Sequence, residues 1–133
     1  MLKRPLIAIV VIFITWSILD FIIHGIFLQA TYEATANLWR PMEDMDMPLM
    51  YAVTLVYTVC FVMIYAIFVT DKSLTAGIQF GALFGIAAGI SMGFGSYTYM
   101  PIPLSLAWSW FAGTLFESIV AGALASLILK PKP

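Results

Sequence analysis

Charge is scarce in this chain. Its 133 residues carry six Lys or Arg and seven Asp or Glu, for a net charge of −1. A soluble domain has about 25% charged and about 45–50% apolar residues; here the figures are 10% and 62%. So little polar surface cannot coat a water-exposed globule. The near-neutral balance also excludes the basic patch that nucleic-acid binding requires, and the composition excludes disorder and collagen. One cysteine, Cys60, leaves no internal disulfide and says little about redox compartment. With one histidine, His24, there is no HxxxH pair, and CxxC is absent too. No nucleophile–base pair, phosphate loop or dinucleotide fingerprint appears; Gly93-Phe94-Gly95 lacks the setting such motifs need. No residue is therefore given a catalytic role, an enzyme is the least favoured class, and no cofactor is indicated.

Long apolar runs are what the chain has instead. A membrane-spanning helix needs about 20 mostly apolar residues, and four segments qualify: roughly 6–28, 48–69, 74–97 and 104–129. They consume most of the chain, which predicts one membrane domain over 1–133, an all-α bundle of four transmembrane helices with the lipid bilayer as its solvent. The first run is too long for a signal peptide and lacks a small-residue cleavage pattern after it. Lys3, Arg4, Lys72, Lys130 and Lys132 fall on one side and Arg40 on the other. The positive-inside rule then predicts both termini in the cytoplasm, in a multi-pass protein of the cell membrane. Trp39, Tyr97, Tyr99, Trp108 and Trp110 gather near the opposite interface, as aromatic belts do.

The long connection is 29–47. It lacks Gly and Pro as far as Trp39, and Leu28, Tyr32, Ala36 and Trp39 recur at helical spacing, so it is expected to be partly helical or interfacial. Asp46 before Pro48 predicts a capped start for the second span. Arg40 is expected to pair with Glu43 or Asp44. The run from Pro41 to Met50 alternates carboxylates with Met42, Met45, Met47 and Met50. Thioethers suit Cu(I), which makes Met42, Met45 and Met47, with His24, weak metal candidates beside the plainer reading of an acidic capping turn.

Two patterns stand out inside the spans. Gly77, Gly81, Gly85, Gly89 and Gly93 recur every fourth residue. In lipid, helices associate through close backbone contact that glycine permits, so this stripe predicts a helix-packing face, within the chain or toward a second copy or membrane-complex partner. The other pattern is ionisable. Glu117 lies on a small-residue face with Gly113, Ala121 and Ala125, while Asp20 and His24 lie one turn apart, with Ser17 on the same face. A charge near the bilayer centre costs about 2.5–3.5 kcal/mol on insertion scales. At about 1.5 Å per residue, Asp20 and Glu117 are both about 12–14 Å below the interface. They are predicted to meet and to share a proton or a cation, with His24 one turn outward as a proton relay or metal ligand. The bland alternative is a dry hydrogen-bonded cluster. Thr54 and Thr58 are expected to bond across helices.

The stretch His24-Gly25, Tyr32-Glu33-Ala34-Thr35-Ala36 and Leu38-Trp39-Arg40-Pro41-Met42-Glu43, with Pro101-Ile102-Pro103, resembles small bacterial four-helix membrane proteins whose activity is uncharacterised. That resemblance spans most of the chain and implies the fold and a bacterial inner-membrane location, without an activity. Two readings remain. One is a structural or accessory subunit, or a homo-oligomer, packed through the glycine stripe. The other is a small transporter, channel or proton- or metal-handling protein using Asp20, His24 and Glu117.

Overall fold

The computed structural model describes residues 3–130; Lys132 lies outside them. Helix α1 (Lys3–Ile22) runs into a π-helical turn, Ile23–Phe27, and a short α2 (Gln29–Ala34) follows. Single 3₁₀ turns at Ala36–Leu38 and Met42–Asp44 lead to α3 (Met47–Phe68). Helix α4 (Leu74–Ile90) also ends in a π-helical turn, Ser91–Gly95, and α5 spans Leu104–Leu129. Four of these runs, Lys3–Phe27, Met47–Phe68, Leu74–Gly95 and Leu104–Leu129, are long and apolar enough to cross a membrane. No strand occurs among the described residues.

Local chemistry sets the helix ends. The Asp46 carboxylate accepts the Leu49 N–H at 2.9 Å, and Pro48 occupies the first turn of α3. At the other end of α3 the Lys72 ammonium turns back and donates to the carbonyls of Tyr65 (2.8 Å), Ala66 (3.2 Å) and Val69. It also sits 4.6 Å from the centre of the Tyr65 ring. One cation thus gathers carbonyls at the end of the helix, adding to the Val69 N–H that Tyr65 already accepts. Ser73 caps α4 by accepting from the Ala76 N–H at 3.2 Å. The Asp71 carboxylate takes the Ser73 hydroxyl (2.7 Å) and N–H (2.8 Å), which holds it below its ordinary range.

Helices α4 and α5 form the tightest pair. The glycine stripe lies on α5 along its whole length: Gly77 on Gly122 and Ser126, Gly81 on Ser118, Gly85 on Leu115 and Ser118, Gly89 on Phe111, Gly93 on Ala107. A Cβ at Gly85 would stand 2.9 Å from Leu115 Cα and from Ser118 Cβ. The stripe is therefore used inside the chain.

A different face of α5 receives α1. Ala8, Ile12 and Trp16 pack with Ala121 and Ala125, and α3 adds Phe61, Val62 and Tyr65 to this core at the terminal end of the bundle. There Arg4 donates to the Lys130 carbonyl, tying the ends of α1 and α5 together. A second core, at the end of the long connection, joins Leu28, Ile102, Leu106, Ala107 and Trp110, with Tyr32, Leu38 and Trp39 against it.

Helices α3 and α4 meet through rings rather than backbones. Phe61 lies 4.9 Å, centre to centre, from both Phe80 and Phe84, and Tyr65 lies 5.3 Å from Phe80. Further along, Ala88 of α4 and Ser91 and Met92 of its π turn line a cavity instead.

Two smaller expectations are corrected. Thr54 and Thr58 do not bond across helices; their hydroxyls donate to the carbonyls four residues back, Met50 (3.1 Å) and Thr54 (2.7 Å). A hydroxyl in apolar surroundings finds that acceptor without needing a second helix. Arg40 forms no ion pair with Glu43 or Asp44; among the described residues the one contact within ion-pair distance is His24–Asp20. On exposed loops water competes successfully for such charges.

Candidate functional site

The site forms where the α3–α4 rings stop. Trp16 is the floor. Its ring meets Tyr57 at 5.4 Å and Phe61 edge-on at 5.2 Å. Its indole N–H donates to the backbone carbonyl of Glu117 at 2.9 Å. That bond fixes α1 against α5 at the level of the acid on α5 and the acid one turn along α1.

Above Trp16 opens a cavity of about 540 Å³. Helix α1 contributes Trp16 and Asp20, α3 contributes Val53, Thr54 and Tyr57, and α5 contributes Thr114, Glu117 and Ser118. Ala88, Ser91 and Met92 line it from α4 and its π turn, and Ser96 and Tyr99 from the following connection. Among the described residues no Lys or Arg lines it.

Asp20 and Glu117 come together. They line one cavity from α1 and α5, close enough for each to perturb the other. Glu117 Oε1 is buried and meets no N–H or hydroxyl donor. Two ionised carboxylates only accept, so a hydrogen bond between them requires a proton on one. The two acids that the depth arithmetic pairs therefore share the wall of one cavity.

His24 is beside the pair rather than between its members. Its Nε2 lies 3.9 Å from Asp20 Oδ1, and its Nδ1 lies 2.6 Å from the Tyr32 hydroxyl. That hydroxyl already accepts the Trp110 N–H at 2.8 Å. An indole N–H can only donate, so the phenol hydrogen is free for His24 Nδ1; when the phenol donates there, the neutral imidazole carries its proton on Nε2, facing Asp20. Burial pushes the Tyr32 phenol above its ordinary range, and the Trp110 N–H offsets part of that. A row of exchangeable groups thus runs Tyr32, His24, Asp20, Glu117. Trp39 closes over it, 5.5 Å from the Tyr32 ring and 6.0 Å from Trp110, with its N–H on Thr35 Oγ1 at 2.9 Å.

Not every expected member joins. Ser17 donates to the Phe13 carbonyl of its own helix at 2.8 Å and does not line the cavity. Among the described residues no three His, Cys, Asp or Glu gather into a metal-holding group, so His24 does not complete one with Asp20 and Glu117. Met42 is 79% exposed, on a 3₁₀ turn remote from the cavity lining, and Met45 and Met47 are also exposed and outside it.

The sequence reading gives no polar role to Trp16, Tyr32 or Trp110. A signal for two of them exists. Positions 16, 20, 24 and 32 share the four-residue row of α1 continued outward, whereas Ser17 lies on the adjacent row. Both π-helical turns, Ile23–Phe27 and Ser91–Gly95, flank the site. Such turns re-aim side chains and recur at functional positions.

Comparison with family models, with curated proteins and with solved structures finds no match for the chain.

Proposed function

We propose that the chain is a small multi-pass protein of the cell membrane that binds and passes on a proton, in a transport role, at the Asp20–Glu117 pair. The observation that carries this reading is the meeting of two carboxyl groups from different helices in a cavity, with a hydrogen-bonded Tyr32–His24 arm leading away from them. Intramembrane acids are costly and are found where a pathway uses them. The positive-inside asymmetry supports cytoplasmic termini, with Tyr32 and the Ser96 and Tyr99 end of the cavity toward the outer side.

The structural-subunit reading rests on a free glycine face. Here that face is covered by α5, so the feature that suggested a second copy is already satisfied within one chain.

Infrared difference spectra of the protein in nanodiscs, taken between alkaline and acid buffer, test the reading. A protonated-carboxyl band is expected that Asp20→Asn and Glu117→Gln each alter, with the double variant adding little to either. A proton gradient across vesicles should also collapse faster with the wild type than with Glu117→Gln. Two independent carboxyl bands with equal collapse rates would overturn the proposal.

A further inference from the structure

The carboxyl pair occupies one wall of a cavity far larger than a proton needs. At about 540 Å³ it falls within the range of about 300–1,000 Å³ typical of small-molecule sites. Its chemistry is mixed in a particular way. Among the described residues lining it the carboxylic acids are Asp20 and Glu117, no Lys or Arg neutralises them, and aromatic rings stand beside them: Trp16 below, Tyr57 from α3 and Tyr99 from the connection after α4. Ser91 and Thr114 add hydroxyl acceptors.

The pair is also left incomplete. Glu117 Oε1 has no donor, and the Asp20 side chain is 45% exposed. Lipid tails offer neither a hydrogen bond nor a counter-charge, so a half-exposed acid at this depth is satisfied by something polar in the cavity. A compact ion would meet two carboxyls and little else. A cation with an apolar body would use the rings as well, since aromatic faces attract cations and apolar groups alike.

We propose that this cavity binds a small organic ammonium ion, the N–H⁺ groups on the Asp20–Glu117 pair and the hydrocarbon part between Trp16, Tyr57 and Tyr99. The inference rests on the proton-handling reading above and adds the solute. Binding exchanges one cation for another. The ammonium ion enters, the proton held between the carboxyls leaves to solvent along His24 and Tyr32, and the site's charge is unchanged. The titratable groups around Glu117 are Asp20 from α1, with His24 of the following π turn against it, Tyr57 from α3 and Tyr99 from the connection; α4 presents none. Acid therefore weakens binding by restoring the proton to the pair.

The test uses 2-phenylethylammonium and its neutral analogue 2-phenylethanol with the full chain in nanodiscs. Calorimetry reads binding, and a pH indicator in weak buffer reads proton release. The ammonium ion should bind at least about tenfold more tightly than the alcohol, release close to one proton per ion bound, and lose about tenfold or more in affinity in Glu117→Gln and in Asp20→Asn. Ala88→Leu adds three carbons to the cavity wall without touching either acid. It should weaken binding about tenfold or more while its thermal unfolding stays at the wild-type temperature, which separates loss of the site from loss of the fold. Equal binding of amine and alcohol would overturn the inference, as would binding unchanged in Ala88→Leu. Absence of amine binding alongside a shared carboxyl band in the infrared would overturn the organic-cation site and leave proton handling standing. Absence of both would overturn both.

Discussion

Helix α4 is held on its two sides in opposite ways. Toward α5 it presents Gly77, Gly81, Gly85, Gly89 and Gly93, and the two backbones touch with no room for a methyl group. Toward α3 it presents Phe80 and Phe84, whose rings reach Phe61, Tyr57 and Tyr65 across a gap the backbones never close. Where the rings end and Ala88 and Ser91 begin, the gap becomes the cavity. In lipid, apolar groups gain little from meeting each other instead of acyl chains. A glycine seam holds by many short contacts along its length. A ring-filled gap holds only where the rings are, and small residues on one face then leave space for a site.

This contrast is open to breaking from either side. The largest effect is expected at the seam. A Cβ at Gly81 would overlap the Ser118 carbonyl oxygen and stand 2.9 Å from Ile119 Cα. Gly81→Leu should therefore cost more than the usual overpacking penalty of about 1–3 kcal/mol, and thermal unfolding in one detergent should show it well below the wild type. Ala87→Leu, on an exposed face of the same helix, is the control. If the two unfold at the same temperature, the seam is not what holds α4.

Removing a ring comes next. Phe61 is fully buried among Trp16, Phe80 and Phe84. Phe→Ala in a water-soluble core costs about 3–5 kcal/mol. Lipid replaces part of what water would not, so Phe61→Ala should lose about 2 kcal/mol and let α3 lean away. Loss of the Trp16 and Tyr57 fluorescence coupling would report that motion, and an unchanged spectrum and melting temperature would show that the rings are not spacers.

The smallest effect sharpens the comparison. Ala88→Leu, one ring position beyond Phe84, should change stability by no more than about 0.5 kcal/mol, because the cavity has space for the added atoms. A loss like that of Gly81→Leu would mean that this side of α4 is as closely packed as the other.

Much of this is legible in residue order. Spans are readable because a bilayer demands some twenty apolar residues in a row; α5 begins and ends where its apolar run does. The glycine stripe and the equal depth of Asp20 and Glu117 follow from helical rise and repeat. The hydrogen-bond partners were harder. Trp16, Tyr32 and Trp110 are large and apolar for most of their surface, so hydropathy files them under packing, and their single N–H or O–H groups matter only once a neighbour is in reach. Ser17 failed in the other direction, as a polar side chain whose own helix supplied its acceptor.

Composition, period and charge placement determined by themselves that this chain makes four membrane-length helices, that one carries a close-packing face, and that two acids are expected at one level. These are properties of single helices, set by rise per residue and by the cost of polar groups in hydrocarbon. Which helices are neighbours is a property of pairs, and only the tertiary structure decided it. It set α4 on one face of α5 and α1 on another, spent the glycines inside the chain, and turned Asp20 toward Glu117 while His24 turned to Tyr32. It also left the gap beside Ala88 open, because an empty volume belongs to no residue and has no letter in the sequence.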